Sequence, residues 1–593
     1  MDRPAQGDGC VDYDETMKFW CRVALLFACV LSAWAQPVTR PAAPPAPNAA
    51  QKSALDALLF YQLLLGELNV RSGSPGSGFS IILDAARKTR DPLLFQRAVD
   101  VALQSRSGDA ALQAAQAWKK ALPESTEANR YLLQILLALN RLEEAGQALT
   151  VSIRDLPPDE QNAAIASIPR VFSRVQDKKL AADTVEKALQ PALKQANTAA
   201  TAWTTLGRLR RDAGELALAV QATRQALLAD AAGSGPLILA LSLANAAPND
   251  LFPLLQTAMQ GPVPPELRLG YARLLIGQPA YPAALSQLER LNADHPAFAE
   301  GWLVHGLVLL ETGKSELAEK KLLTHIDLVQ SATDKAPATG LSESLMALAQ
   351  IAQRKGQLAQ AQKWLSQVPS DADPVKLASR QAQVLSQQGR LDEARATLER
   401  IKTNTPELAI RKALVQSQWL RDNKQAPSAY TLVQQALVQH PQNTDLMSEL
   451  AMVCEKLKRF EEMEKLLREL MQRKPEDPHA FNALGYSLAD RNIRLPEARQ
   501  LIQQALQLAP QDAYIQDSLG WVAYRQGQFA EALQILQTAY KAKPDAEIAA
   551  HLGEVLWVMG QRDQAAVIWR EGLLLGADNE TLAETLKRFQ FKP

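Results

Sequence analysis

A pattern of small, aromatic and turn-forming residues returns about every 34 residues along most of this chain, and it limits the fold more than any other property. It is clearest in Asp517–Pro544, DSLGWVAYRQGQFAEALQILQTAYKAKP. Its landmarks are Leu519-Gly520, Gly527, Phe529, Ala532, Leu536, Ala539 and Pro544. The spacing has a physical cause. Two helices cross closely only where side chains are small, which puts the crossing at Gly520 and Ala532. Gly527 ends the first helix and permits a tight turn. Ala539 lets the next unit approach, and Pro544 closes the second helix.

The landmarks recur on both sides. Downstream stand Leu552-Gly553, Gly560, Ala565 and Trp569; immediately upstream stand Phe481, Leu484-Gly485, Ala498, Ala505 and Pro510, with one extra residue in the turn near Ile493. Further back come Leu450-Ala451 with Phe460 and Pro475, Ala429 with Ala436 and Pro441, and Gly389 with Leu391, Ala394 and Pro406. Leu348-Ala349 with Gly356 and Ala361, Trp302 with Gly306, Gly313 and Ala318, and Tyr281 with Ala284 and Pro296 continue the series. Trp203, Leu206-Gly207, Gly214 and Ala219 open it, and Asn140, Leu142 and Ala145 add a unit nearer the N-terminus. The pattern resembles the tetratricopeptide repeat (TPR). The resemblance implies an all-α fold, a right-handed superhelical solenoid of antiparallel helix pairs, in which each pair buries its apolar face only against neighbours. Alternating β-branched strand patterns are absent.

The divisions read from the sequence are a leader and signal peptide over 1–35, a Pro/Ala-rich linker over 36–52, and degenerate hairpins over 53–198. A central array over 199–440 and a C-terminal array over 441–593 follow. Residues 233–262 look irregular, interrupted by Pro248 and Pro253, and Asn579–Phe589 reads as a charged capping helix.

Met17 begins a better export signal than Met1. Lys18 and Arg22 supply positive charge, Val23–Leu31 is unbroken and apolar, and Ala33-Trp34-Ala35 gives a small-x-small cleavage site before Gln36. Periplasmic export is therefore expected. Cys29 after Leu26-Phe27-Ala28 loosely resembles a lipobox, so an outer-membrane lipoprotein is the alternative. Cys10 and Cys21 also lie in this leader, leaving Cys454 alone in the folded part, where a small buried hydrophobe is expected. Lys+Arg and Asp+Glu both number 64, so the chain lacks the basic footprint of nucleic-acid binding.

Catalytic constellations are missing. None of the six histidines pairs at metal-binding helical spacing, so no metal and no cofactor are expected. His305 falls at an apolar repeat position and reads as a core residue. The glycines of Ser72–Gly78 form a loop without the strand or lysine of a phosphate cradle. The chain reads as a protein-binding scaffold rather than an enzyme.

In a TPR array the first helix of each pair lines the groove, at the second, fifth, ninth, twelfth and thirteenth places. The last three clear units then offer Asn482, Tyr486, Asp517, Trp521, Tyr524, Arg525 and Trp557 as partner-binding residues, beside His479, Asp490, Tyr514, Glu547 and Glu554. Aromatic rings among a few polar groups suit an extended peptide or a partner helix. The same rings also suit the interior of a tightly wound array, and the sequence leaves both readings open.

Asn482–Leu533 and His551–Leu573, with YQLLLGEL at Tyr61–Leu68 and AARKTRDPLLFQRAVDVALQ at Ala85–Gln104, are similar to exported bacterial TPR proteins, many of them outer-membrane lipoproteins. One branch of that family acts as an adaptor for a periplasmic carboxyl-terminal processing protease whose substrates include cell-wall hydrolases. The resemblance implies a protease-recruiting scaffold. The alternative is an assembly factor for an envelope biogenesis or export complex.

Overall fold

The computed structural model describes residues 56–331, 340–370, 372–577 and 579–592. The export segment and linker, with Met17, Cys10, Cys21 and Cys29, lie outside the described residues. These hold 31 α-helices, from Ala57–Arg71 to Glu580–Arg588, a 3-10 turn at Ala192–Lys194, and no β-strand. The fold is all-α, as the repeat pattern requires.

Local chemistry sets the helix starts. Around the C-terminal array four hairpins close at a proline (Pro441, Pro475, Pro510 and Pro544), and an Asp or Asn follows within two positions to cap the next helix. Asn443 accepts from the Leu446 amide at 2.8 Å, and Asp477 from the His479 amide at 3.0 Å. Asp512 accepts from the Tyr514 and Ile515 amides at 2.8 and 3.1 Å, and Asp545 from Glu547 at 2.8 Å. Each such cap contributes about 1 kcal/mol. Within hairpins the turn needs a left-handed residue: Gly527 sits at φ 79° and Gly560 at 82°. The extra residue near Ile493 appears as two left-handed positions, Asn492 and Arg494. The close crossing is also present: a Cβ on Gly520 would meet Leu536 Cγ at 2.6 Å.

Two compact units divide inside the Ala299–Glu311 helix, after Val308. The sequence divisions at 198/199 and 440/441 mark changes in repeat regularity, and each falls within one unit.

In the first unit, Phe95 stacks on Trp118 at 6.2 Å and Trp118 meets Tyr131 at 5.4 Å, all three buried. The weakly patterned stretch after residue 157 departs from a simple hairpin. Pro158–Val171 and Lys178–Leu189 both pack on Ala199–Asp212. Pro169 lies inside the first of these helices and has no N–H to give the Ile165 carbonyl. The Thr205 hydroxyl, from the facing helix, donates to that carbonyl at 3.1 Å. Residues 233–262 are more regular than expected, forming the helices Ser234–Leu243 and Pro248–Ala258. Pro248 opens the second helix, where the missing N–H costs nothing. Beyond it, fully buried Arg268 donates to the carbonyls of Met259 at 2.9 Å and Gly261 at 3.0 Å, closing the end of that helix. Burial holds this guanidinium below its ordinary pKa. His305 is buried, with Nδ1 3.0 Å from Asn292 Nδ2, the core role expected of it.

In the second unit the apolar faces join across successive hairpins. Cys454 is buried among Leu450, Met463, Leu484 and Leu488, and burial pushes its thiol up to about 12. The Glu580–Arg588 helix packs on the Ala546–Val558 and Arg562–Leu575 helices. Its Glu580 carboxylate meets Lys456 Nζ at 2.6 Å, reaching back to the Thr444–Lys456 helix.

Candidate binding surfaces

Three first helices converge in the C-terminal array: Pro478–Asp490, Ala513–Arg525 and Ala546–Val558. Their small residues, Gly485, Gly520 and Gly553, let the second helices sit close, and the positions facing the neighbouring first helices become internal. Trp521 is 2% exposed and Asp517 4%, so the structure buries two residues that the sequence reading placed in a groove. The correction has a clear cause. The outer two of these helices reach each other past the middle one, because the Tyr486 hydroxyl lies 3.2 Å from Glu547 Oε1 and 3.4 Å from His551 Nε2.

His551 is the centre of this arrangement, and it was missed in the sequence. Its Nδ1 lies 2.9 Å from Asp517 Oδ2 and 3.0 Å from Oδ1. Its ring stacks on Trp521 at 4.3 Å and 22°, and Trp521 stacks in turn on Tyr524 at 5.1 Å. The available signal was the residue just before Leu-Gly, which is Ala483, then Ser518, then His551. A titratable side chain replaces small ones at a packed position.

The other predicted residues are placed as follows. The Tyr524 hydroxyl donates to Glu554 Oε1 at 3.0 Å, and Arg588 from the last helix pairs with the other oxygen of the same carboxylate. Arg525 donates to the Asp490 carbonyl at 3.1 Å and lies 5.6 Å from the centre of the Trp521 ring. Asn482 is half-buried, and its Oδ1 makes no hydrogen bond. Trp557 is separate from this network. It packs with Trp569 at 5.3 Å, Phe589 at 6.1 Å and Phe591 at 6.3 Å.

Burial shifts several of the titratable groups here. It raises the carboxyls of Glu547 and Glu554 and the Tyr486 phenol, and it pushes the Tyr524 phenol up to about 12. For His551 burial alone acts downward, but the adjacent Asp517 carboxylate, with Glu547 and Glu554, carries the imidazole above the ordinary histidine value. A cation held this way between carboxylates and an indole face is a structural element, and its partners leave no open position for a substrate.

A second surface lies at the other end of the described chain. The Ala57–Arg71 helix buries Gly66 against Pro75–Thr89, where a Cβ would meet Ile82 at 2.9 Å. Its opposite face exposes Leu58 (76%), Phe60, Tyr61 (63%), Leu64, Leu65 and Leu68 (54%). No charged residue stands between Ala57 and Gly66, and Glu67 is held by Arg97 at 2.7 Å. A helix apolar on both sides needs cover on both. No helix among the described residues is long and apolar enough to cross a membrane.

Comparison with known proteins places these hairpins. One tetratricopeptide-repeat family model matches residues 420–485, and a second matches 97–160, 464–513 and 518–578. A TPR repeat-containing protein of Pseudomonas aeruginosa is 37% identical over 207 residues, 35% of this chain and 35% of that protein. The alignment thus spans about a third of the relative's length. Among solved structures, a tetratricopeptide repeat protein from Parabacteroides merdae is 15% identical, with a TM-score of 0.33 over 42% of this chain and 98% of that one. A thermophilic TPR protein of Thermus thermophilus is 21% identical, with a TM-score of 0.28 over 30% of this chain and 99% of that one.

Proposed function

From a chain that carries tetratricopeptide repeats, a scaffold for protein–protein interaction, we infer a non-enzymatic adaptor that works in the periplasm and docks its partner through the Ala57–Arg71 helix. The observation that carries this reading is the run of six exposed large apolar side chains on that helix. Its occupant is an apolar, uncharged groove on a folded partner protein. The face carries no charge to match along its first ten positions, while Asp56 and Arg71 at its two ends fix the direction of docking. The long similarity to exported TPR proteins over Asn482–Leu533 and His551–Leu573 supports a carboxyl-terminal processing protease as that partner, gathered with cell-wall hydrolases as substrates.

The test is cross-linking and affinity capture of the full chain from an envelope fraction, followed by identification of the captured proteins. Recovery of a processing protease, with wall hydrolases accumulating when the gene is deleted, supports the adaptor. Capture of neither, with hydrolase levels unchanged, removes it.

A further inference from the structure

Five helices meet around His551, and four of them supply the charged and hydroxyl groups of its network. The Ala513–Arg525 helix supplies Asp517, Tyr524 and Arg525, and the Pro478–Asp490 helix supplies Tyr486 and Asp490. The helix of His551 itself adds Glu547 and Glu554, with the cap Asp545 behind Glu547. The last helix adds Arg588, paired to Glu554. From the outer side the Arg562–Leu575 helix lays the buried Trp569 indole against the Ala550 carbonyl, 3.4 Å away.

We propose that His551 is a proton-operated latch: charged, it holds these three first helices together, and losing its proton loosens them. The geometry carries this. In the charged form Nδ1–H donates to Asp517, Nε2–H donates to the Tyr486 oxygen, and the Tyr486 hydroxyl donates onward to Glu547. Every hydrogen in that chain has an acceptor. In the neutral form Nδ1–H stays on Asp517 and Nε2 becomes an acceptor. Tyr486 has one hydroxyl hydrogen and cannot serve both Nε2 and Glu547, so one buried polar group loses its partner. The cation stacked on the Trp521 face is lost as well.

The shifted groups all act in one direction. A histidine held above its ordinary 6.5 stabilises the closed form fully below that pH and stops doing so as pH rises through the folded value. Glu547 and Glu554, held above 4.5, favour the closed form in acid in the same sense. The latch is closed at low pH and loosened at high pH. It belongs to the chain alone and stands whichever partner the protein serves.

Mass-spectrometric hydrogen exchange on the full chain tests this, reading the His551 C2–H titration and the amide protection of the three helices from pH 5 to 9. The expected His551 midpoint lies above 6.5. Amide protection, corrected for intrinsic exchange, should fall roughly tenfold per pH unit between 6.5 and that midpoint and then level off. His551→Gln should flatten the curve, and Asp517→Asn, which removes the adjacent carboxylate, should move the midpoint down. A wild-type midpoint at or below 6.5 overturns the latch. So does a His551→Gln protein whose protection still follows the wild-type curve, or an Asp517→Asn midpoint that does not move. Where a variant does not fold, the wild-type titration decides alone.

Discussion

Replacing Tyr61 and Leu68 together by Glu separates docking from folding. The two side chains are 63% and 54% exposed, so the folded chain places little demand on them. Surface changes of this kind normally alter stability by no more than about 0.5 kcal/mol each, and Glu is at least as good a helix former as Tyr. Docking is different. Full burial of a Leu-sized side chain contributes about 1.5–3 kcal/mol, so covering the exposed half of each contributes roughly 1 kcal/mol. Each new carboxylate must also be desolvated in an apolar groove, at about 1–3 kcal/mol. The total is about 4 kcal/mol or more, roughly a thousandfold in Kd. Titration of the captured protease against immobilised full chain should show that loss with an unchanged Tm. Unchanged affinity at an unchanged Tm would refute docking through this face. A collapsed Tm would show that the chain itself covers it.

Arg268→Met removes the donor from the Met259 and Gly261 carbonyls while keeping an apolar stem of similar length; about 3 kcal/mol should be lost, read as faster amide exchange in the Pro248–Ala258 helix. Gly485→Ala places a Cβ 2.6 Å from Ile502 Cγ1 and 2.9 Å from the Ala498 carbonyl oxygen, so denaturant unfolding should show a loss of about 1–3 kcal/mol. The Cys454 thiol should resist alkylation at pH 8 until denaturant is added, and rapid labelling of the native chain would contradict its burial. Arg494 and Arg468 hold the Glu464 carboxyl down at about 2. Its contribution is therefore present above about pH 4.5 and lost as pH falls towards 2, and Glu464→Gln should cost under about 1 kcal/mol at pH 7 and progressively less in acid.

The hairpin array was legible because its requirements are local. Gly520 must be small where two helices cross, Gly527 must be left-handed, and Pro544 must close the second helix, whatever lies elsewhere. The register of the C-terminal first helices was legible for the same reason: five of the seven predicted residues, Tyr486, Asp517, Trp521, Tyr524 and Arg525, do face one another or their shared neighbours. Whether they face solvent was not legible. That depends on how tightly successive hairpins wind, a sum of small rotations that no single residue reports, and the structure buries Trp521 and Asp517. Arg268 escaped notice because two of its partners are backbone carbonyls, which have no sequence signature, and the third is the Gln287 side chain on another helix. The Ala57–Arg71 helix escaped in the opposite way, since an apolar run reads as core until its exposure among the described residues is seen.

The pairing of Arg588 with Glu554 ties the Glu580–Arg588 helix to a buried charge two helices away. Removing a peripheral helix ordinarily costs only the contacts of the removed piece. Here the Glu554 carboxylate is 3% exposed, and the final helix supplies its counter-charge. Cutting the chain after Leu575 would strand that carboxylate two helices upstream, and damage of that kind is typically about 3–5 kcal/mol. A deletion of this helix would thus be felt deep inside the molecule, where it would be mistaken for a binding defect.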